Sequence, residues 1–410
     1  MKNIFKRLLN VKCMVVEDVS IDDSPLRPAP ALAVRVRRRK GALRCPRCGR
    51  KCPKHDDGGG ERRWRHQDFG CYGVELMGLA PRVACAEHGV VAAQVPWAEP
   101  GSRFTSGFEM ECAWPAAVAN QKTVGGFLRI AWRTAGHIAR RVAARLESSM
   151  PSMFDGLTAI GVDETGCRKG HTYITVVVGH KRKRVAWAHD GYGKEVPGLF
   201  FRQPADEQRA SIKAVTGDGA EWIDASVKER PPNAERVPDS FHIVSRMSDA
   251  PDQVRKRLWN QARSGNDQTA TETMKGLKYA VPKNPEDLTE RQDTDPRDQP
   301  YRSWQLKELP RTLPHQPVGQ AGAELKRWIF RASHSRIPEI VELCRKTRRR
   351  KNDIPKTIRL GHSNARPEAL NNKIKATIRM AYGFRHVDNL IAMIKLRCNG
   401  PPIHLPTPIP

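Results

Sequence analysis

Two short pieces of the chain share one pattern. Cys45-Pro-Arg-Cys48-Gly49 and Cys85-Ala-Glu-His88-Gly89 each hold a cysteine, two residues, a cysteine or histidine, then a glycine. Zn²⁺ takes thiolate and imidazole ligands in a tetrahedron, and two intervening residues let both side chains of a pair face the same ion. The glycine after each pair permits a tight, left-handed turn. The repeat predicts Cys45, Cys48, Cys85 and His88 as the ligands of a structural zinc. Cys45 and Cys48 with Cys52 and His55 form a contiguous alternative, but Cys52 and His55 run into the pliable 56–60 stretch without a repeated turn. Ten cysteines in 410 residues are too sparse for a disulfide scaffold, and their clustering favours metal binding in a reducing compartment.

Three acids stand out by context. Asp163 ends the apolar run AIGVD, Asp218 ends AVTGD between Gly217 and Gly219, and Glu368 follows Pro367 at the start of an amphipathic segment. An aspartate at a strand end can aim its oxygens at a shared point without entering the core, and small neighbours leave room for a phosphate. Pro367 suits a first helical turn, which sets Glu368 beside the positive end of the helix dipole. The spacing predicts a buried stripe of Leu370, Ile374, Ile378 and Ala381 or Tyr382. Glu368, Asn371, Asn372, Lys375 and Arg379 then fall on a polar face. Lys375 and Arg379 can follow a phosphate backbone, with simple solvation as the equal alternative. Position along the chain does not say whether the acids meet.

The elements that must carry these residues fall into two textures. In the N-terminal part, LAVRVRRR alternates at strand period, and the cysteine block between the two pairs has hairpin character. TVGGFLRIAWRTAGHIARRVAARL then reads as helix, turn and helix. Thr134 is the expected cap of the second helix, Ile138, Val142 and Leu146 its apolar stripe, and Arg140, Arg141 and Arg145 remain for phosphates or base edges. A plain packing hairpin is the competing reading. Pro115 is expected to interrupt the helix before it, and Gly125 and Gly126 weaken its first member.

From residue 157 the pattern is three strands, a helix, a strand, a helix and a short fifth strand. Helical spacing takes over beyond about residue 245, broken by a proline-rich stretch from about 281 to 318. This organisation gives a β lead-in at 1–40, a zinc module at 41–100, a helix pair at 101–150, and an α/β domain at 155–398 with a helical insertion at about 245–360. A proline-rich tail at 399–410 is too rich in proline to pack as a helix.

Seventy-one lysines and arginines oppose 44 acids, a formal net charge of +27 that calls for a polyanionic neighbour, nucleic acid first. No stretch approaches the roughly 18 apolar residues of a membrane span. The chain therefore reads as cytoplasmic, with no membrane partner.

The ordered set CPRCGRKC, PRVACAEHGVVAAQVPWA, IGVDE, VTGDGAEW, VPDSFHIV, LKYAVPKNPEDLTERQ, SRIPEIVEL and SNARPEALNNKIK resembles the ISL3 transposases of bacterial insertion sequences, over nearly the full length. The resemblance implies a ribonuclease H-like mixed five-stranded sheet with a helical insertion, behind a zinc-binding β module and a helix-turn-helix at roughly 107–146. It implies Asp163, Asp218 and Glu368 as the catalytic acids, holding two Mg²⁺ ions, with Mn²⁺ as a substitute, for DNA strand cleavage and strand transfer. Asp239 and His242, in DSFH, match a family motif with a supporting role, and Asp239 is the main rival for an active-site acid. Asn372, beside Glu368, is a further supporting candidate. Implied partners are double-stranded DNA, as element ends and target, and a second copy of the chain, in association with the nucleoid. A catalytically inert DNA-binding regulator is the alternative on the same residues.

Overall fold

The computed structural model describes the chain apart from residues 1, 10, 12, 27, 40, 169–171, 218–220, 230–232, 239, 280–298, 312, 314–315, 350, 353–357, 360–364, 401–402 and 404–410, and apart from the side chains at 2, 221, 228–229, 238, 240–248, 309–311, 318 and 365–366. Asp218, Asp239 and the His242 side chain thus lie outside the described residues. The chain forms two compact units, Met1–Pro151 with Ala376–Pro410, and Ser152–Lys375.

In the first unit, α1 (Lys2–Leu8) leads into β1 (Met14–Asp22) and β2 (Ala31–Arg38). β3 (Lys54–Asp56), β4 (Glu61–Phe69), β5 (Tyr72–Leu79), β6 (Arg82–Cys85) and β7 (Gly89–Ala92) follow. Four strands form a sheet in the order β1-β2-β5-β4, with β2 and β5 parallel. The lead-in and the cysteine block, expected as successive modules, therefore share one sheet. The apolar residues of β2 are the reason: Leu32, Val34 and Val36 are buried in one core with Trp64, Leu76 and Trp97. Trp64 and Trp97 meet edge to face at 5.4 Å. β3, β6 and β7 make a separate three-stranded ribbon.

Helices α2 (Ser106–Val118), α3 (Gln121–Leu128) and α4 (Trp132–Ser149) follow, and near the C-terminus α14 (Val387–Cys398) joins their core. Residues 387–398, expected within the second domain, belong here because Ala392, Met393 and Leu396 bury against this bundle. Ile138, Val142 and Leu146 form the buried stripe of α4 as the spacing predicts. Thr134 does not cap it. α4 starts at Trp132 after Ala131, which makes no side-chain cap bond, and Thr134 lies inside the first turn. The cause is the tight α3–α4 connection over Gly125, where an added Cβ would stand 2.7 Å from the Ile130 carbonyl oxygen. The glycine that costs helix propensity allows this close passage. Pro115 does not break α2, which runs through it to Val118. Ala116 and Ala117 beyond it are buried, so core packing offsets the missing backbone donor.

The second unit carries β8 (Ala159–Arg168), β9 (Thr172–Gly179), β10 (Arg184–Asp190), α5 (Val196–Phe201), α6 (Asp206–Ala210), β11 (Ala214–Gly217), α7 (Glu221–Glu229) and β12 (Glu235–Pro238). These strands form one mixed sheet, order β10-β9-β8-β11-β12. β8 pairs antiparallel with β9 and parallel with β11. β8 alternates faces: Ile160 and Val162 enter a core with Val196, Phe200, Ile223 and Val227 of the helices, leaving Gly161, Asp163 and Thr165 on the other face.

α8 (Ser240–Ser264), α9 (Gln268–Gly276), α10 (Gln299–Arg311), α11 (Val318–Ser333) and α12 (Pro338–Arg349) form the helical insertion, with a core that includes Val254, Leu325, Trp328, Ile337 and Ile340. α10 is helical within the proline-rich stretch; Pro300 sits in its first turn, where a missing donor costs little. α13 (Ala365–Met380) closes the unit and runs past its boundary at Lys375. Among the described residues, no helix is long and apolar enough to cross a membrane.

One buried base ties the sheet of the first unit to its helices. His66 of β4 shares a 2.8 Å hydrogen bond with Thr105 Oγ1, the same oxygen that caps α2 by accepting from the Phe108 amide. Burial pulls the imidazole down from its ordinary 6.5 to about 4. Between those two values the unfolded chain binds a proton that the folded chain refuses, so stability falls as pH drops through this window. The expected loss is about 2–3 kcal/mol, and His66→Gln removes that component. Urea titrations of both proteins at pH 7 and pH 4.5 check this; identical pH responses contradict it.

Candidate active site and metal centre

The ribbon builds the metal centre. Gly49 and Gly89 take positive φ, 69° and 65°, and close the two turns that the sequence repeat predicts. The Gln94 amide donates to the Arg44 carbonyl oxygen at 3.1 Å, tying the second strand pair to the first turn. Ligand atoms of Cys45, Cys48, Cys85 and His88 all lie within 4.8 Å of one another. Cys48 and Cys85 sulfurs are 3.7 Å apart, and His88 Nδ1 stands 3.8 Å from Cys45 Sγ and 3.7 Å from Cys85 Sγ. A tetrahedral ion with bonds of about 2.3 Å to sulfur sets its ligand atoms about 3.8 Å apart, so these spacings are the edges of a zinc-sized tetrahedron. The hydrogen bond from His88 draws the Cys85 thiol down to about 6, toward the thiolate a metal needs. The alternative ligands fall outside this set: Cys52 Sγ lies near Cys85 but donates to the Arg50 carbonyl at 3.5 Å, and exposed His55 pairs with Asp56 at 3.0 Å.

The helices do not present all three arginines of α4 alike. Arg140 is exposed. Arg141 and Arg145 reach Glu109 of α2, at 2.6 and 3.2 Å. Glu109 is fully buried and also accepts from Ser102 Oγ at 2.7 Å. A buried carboxylate is tolerated only with such partners, so these two arginines first satisfy the fold. An acid among apolar residues in FEMEC was the sequence signal for that role.

The acids centre on β8 and α13. An added Cβ at Gly161 would come within 2.7 Å of the Pro367 ring, 3.2 Å of Thr216 Oγ1 and 3.4 Å of His180 Nε2. Glycine there lets the first turn of α13 lie directly on the strand. Two residues along the same face, Asp163 accepts a hydrogen bond from the Asn371 side-chain amide. Its other oxygen accepts from the Glu164 backbone amide at 2.7 Å. Glu368 lies one helical turn before Asn371 on α13, and residues three apart on a helix are neighbours on its surface. The sheet register sets Gly217, the residue before Asp218, beside Val162, the residue before Asp163.

The buried line of α13 differs from the expected stripe. It runs through Pro367, Asn371, Ile374 and Thr377, while Leu370 and Ile378 are only half-buried and Tyr382, beyond the helix end, is 92% exposed. Asn371, expected on the polar face, is therefore an inward residue, and its neighbour Asn372 is exposed. Lys375 and Arg379 are exposed too. Hydropathy missed the stripe because two of its members are polar residues whose groups are satisfied inside.

Residues 160–394 match the DDE-type ISL3 family described as a transposase. Residues 42–88, which hold all four proposed metal ligands, match the zinc finger of the transposases of IS204, IS1001, IS1096 and IS1165. Two relatives from Mycobacterium tuberculosis, strains CDC 1551 and H37Rv, are transposases for insertion sequence element IS1557. Each is 38% identical over 99% of this chain and 97% of its own length. The transposase for IS1001 of Bordetella parapertussis is 26% identical over 92% of the chain and 93% of its length. The chain belongs to the ISL3 family of DDE transposases.

Elemental analysis separates the two ligand sets. Cys85→Ser is expected to lose the zinc of the purified protein, whereas Cys52→Ser retains it. Full zinc in the first variant with loss in the second contradicts the assignment.

Proposed function

We propose that this chain binds the terminal inverted repeats of its own insertion sequence and cuts and rejoins DNA at their ends, using a ribonuclease H-like domain with Asp163, Asp218 and Glu368 as its acids. The observation that carries the reading is the seating of α13 on β8, which sets Glu368 one turn from the residue that holds Asp163. Supporting it, the strand order runs three antiparallel strands and then two parallel to the first, as that fold requires.

The donors fit hard divalent cations. Asp163 accepts from the Glu164 amide on Oδ1 and from Asn371 on Oδ2, and a carboxylate oxygen carries two lone pairs, the hard donors such ions take. Mg²⁺ takes carboxylate oxygens and keeps sites for water and phosphate, and Mn²⁺ accepts the same donors. Asp163, Asp218 and Glu368 would hold two such ions. When bound, they supply a nucleophile activated at neutral pH and charge to stabilise the leaving oxygen of an in-line displacement at phosphorus. The chain's own contribution is to hold the Asp163 carboxylate by two hydrogen bonds, and to carry Glu368 one helical turn from Asn371, which makes one of them. Asp239 and His242 remain proposed supporting residues, on the family motif they match just after the β12 sequence.

The first unit would recognise the element ends. A zinc ribbon held by Cys45, Cys48, Cys85 and His88 braces it, and α3 and α4 act as the helix-turn-helix. Arg140 faces outward for phosphate. Arg141 and Arg145, which share Glu109, contribute by their remaining donors. Lys375 and Arg379 follow the backbone near the cut site. Counterion release from so basic a chain makes the binding strongly salt-dependent. Two ends must be held at once, so a homodimer or larger assembly on DNA is the working form, at the nucleoid.

The test uses the full chain, Mg²⁺ and a duplex carrying the element's own terminal repeats. Wild type is expected to cut at the repeat boundary. Asp163→Asn is expected to bind the same duplex and cut it about 10²–10³-fold more slowly or not at all, the scale on which loss of a charge-stabilising group acts. Cutting by Asp163→Asn at the wild-type rate, or wild-type binding without Mg²⁺-dependent cutting, contradicts the reading.

A further inference from the structure

The geometry points to Asn371 as a positioning residue for the metal-binding carboxylate, an inference that rests on the proposed role of Asp163 as a metal ligand. Asn371 is 4% exposed. Its amide nitrogen donates to Asp163 Oδ2, and its amide oxygen accepts from Thr165 Oγ1 at 3.3 Å. Thr165 is itself 1% exposed.

The direction of this chain is fixed by chemistry. An ionised carboxylate only accepts, so the face of the amide toward Asp163 must be the nitrogen. The oxygen then faces Thr165, whose hydroxyl must donate. Asp163 and Thr165 are two apart on β8 and so share one face, and Asn371 bridges them from α13. With the Glu164 amide on Oδ1 and Asn371 on Oδ2, the carboxylate cannot rotate without breaking a bond. No aliphatic residue at 371 provides that restraint, and aspartate there faces the carboxylate with a like charge.

The bridge also sets the helix. Pro367 rests against Gly161 and Asn371 on Asp163, so α13 is held to β8 at two points one turn apart, with Glu368 between them in sequence. Asn371 thus positions both proposed ligands described here: one by direct hydrogen bond, the other through the helix. It touches neither substrate nor cation, and acts through Asp163.

Three variants test this in the full chain: Asn371→Leu, which keeps the number and branching of the side-chain heavy atoms, Thr165→Val, which replaces the hydroxyl by a methyl, and the two combined. Mn²⁺ binding is measured by electron paramagnetic resonance without DNA, alongside end cutting, binding to the end duplex and thermal unfolding. Partners that orient a ligand typically carry 10–100-fold in metal affinity, so Asn371→Leu is expected to weaken Mn²⁺ by about that factor and slow cutting similarly, with end binding unchanged. Thr165→Val gives a smaller loss, and the double variant is no worse than Asn371→Leu, because threonine acts through the amide. Wild-type Mn²⁺ affinity in a folded Asn371→Leu protein overturns the assignment. Should that variant fail to fold, unchanged Mn²⁺ affinity in Thr165→Val overturns it instead. Absence of cutting by the wild type sinks the functional reading and leaves the Mn²⁺ comparison to judge Asn371.

Discussion

The contact between the Pro367 ring and the bare backbone of Gly161 governs the second unit, because a single methyl group on the strand would stand 2.7 Å from the ring. A helix that close brings its next inward residue, Asn371, to Asp163. The sheet favours the approach, since Ala159, Gly161, Ala214 and Thr216 give that face small side chains while Ile160, Val162 and Val215 fill the opposite one. Burial of apolar groups on one face thus leaves the other free for a polar site. The site borrows its rigidity from the core beneath it.

The first unit solves a different problem, how to hold polar groups inside a small fold. Glu75 is fully buried and takes Ser24 Oγ at 2.5 Å and Arg63 at 3.0 Å, while Glu109 takes Ser102, Arg141 and Arg145. Each acid is balanced by arginines at its side, which leaves the formal net charge of +27 almost unchanged. The ribbon, with short strands and little apolar surface of its own, is the place where a Cys₃His tetrahedron adds most to folding.

Much of this was legible in the sequence, and the reasons differ by residue. The cluster of Cys45, Cys48, Cys85 and His88 was readable because a repeated turn with fixed spacing is a local property, and local geometry survives into the fold. The strands of the second unit were readable from apolar runs bounded by turns. Asn371 was not: it meets a residue 208 positions away, and an amide looks like surface until a partner is known. The same blindness placed Thr134 at a cap although the helix starts at Trp132, and it did not show that Arg141 and Arg145 also pair with buried Glu109. Tyr382, counted toward a buried stripe, lies beyond the helix. Periodicity assigns a face, but only tertiary contacts say which polar residues turn inward.

The central claim is that Asp163 and Glu368 serve one cation-binding site. Crystals grown with Mn²⁺ and measured at the manganese absorption edge test it most directly. The expected result is anomalous density within about 2.0–2.3 Å of a carboxylate oxygen of Asp163 and of Glu368, from one ion or an adjacent pair. Density at neither residue, or at Asp163 with Glu368 turned away from every ion, contradicts it.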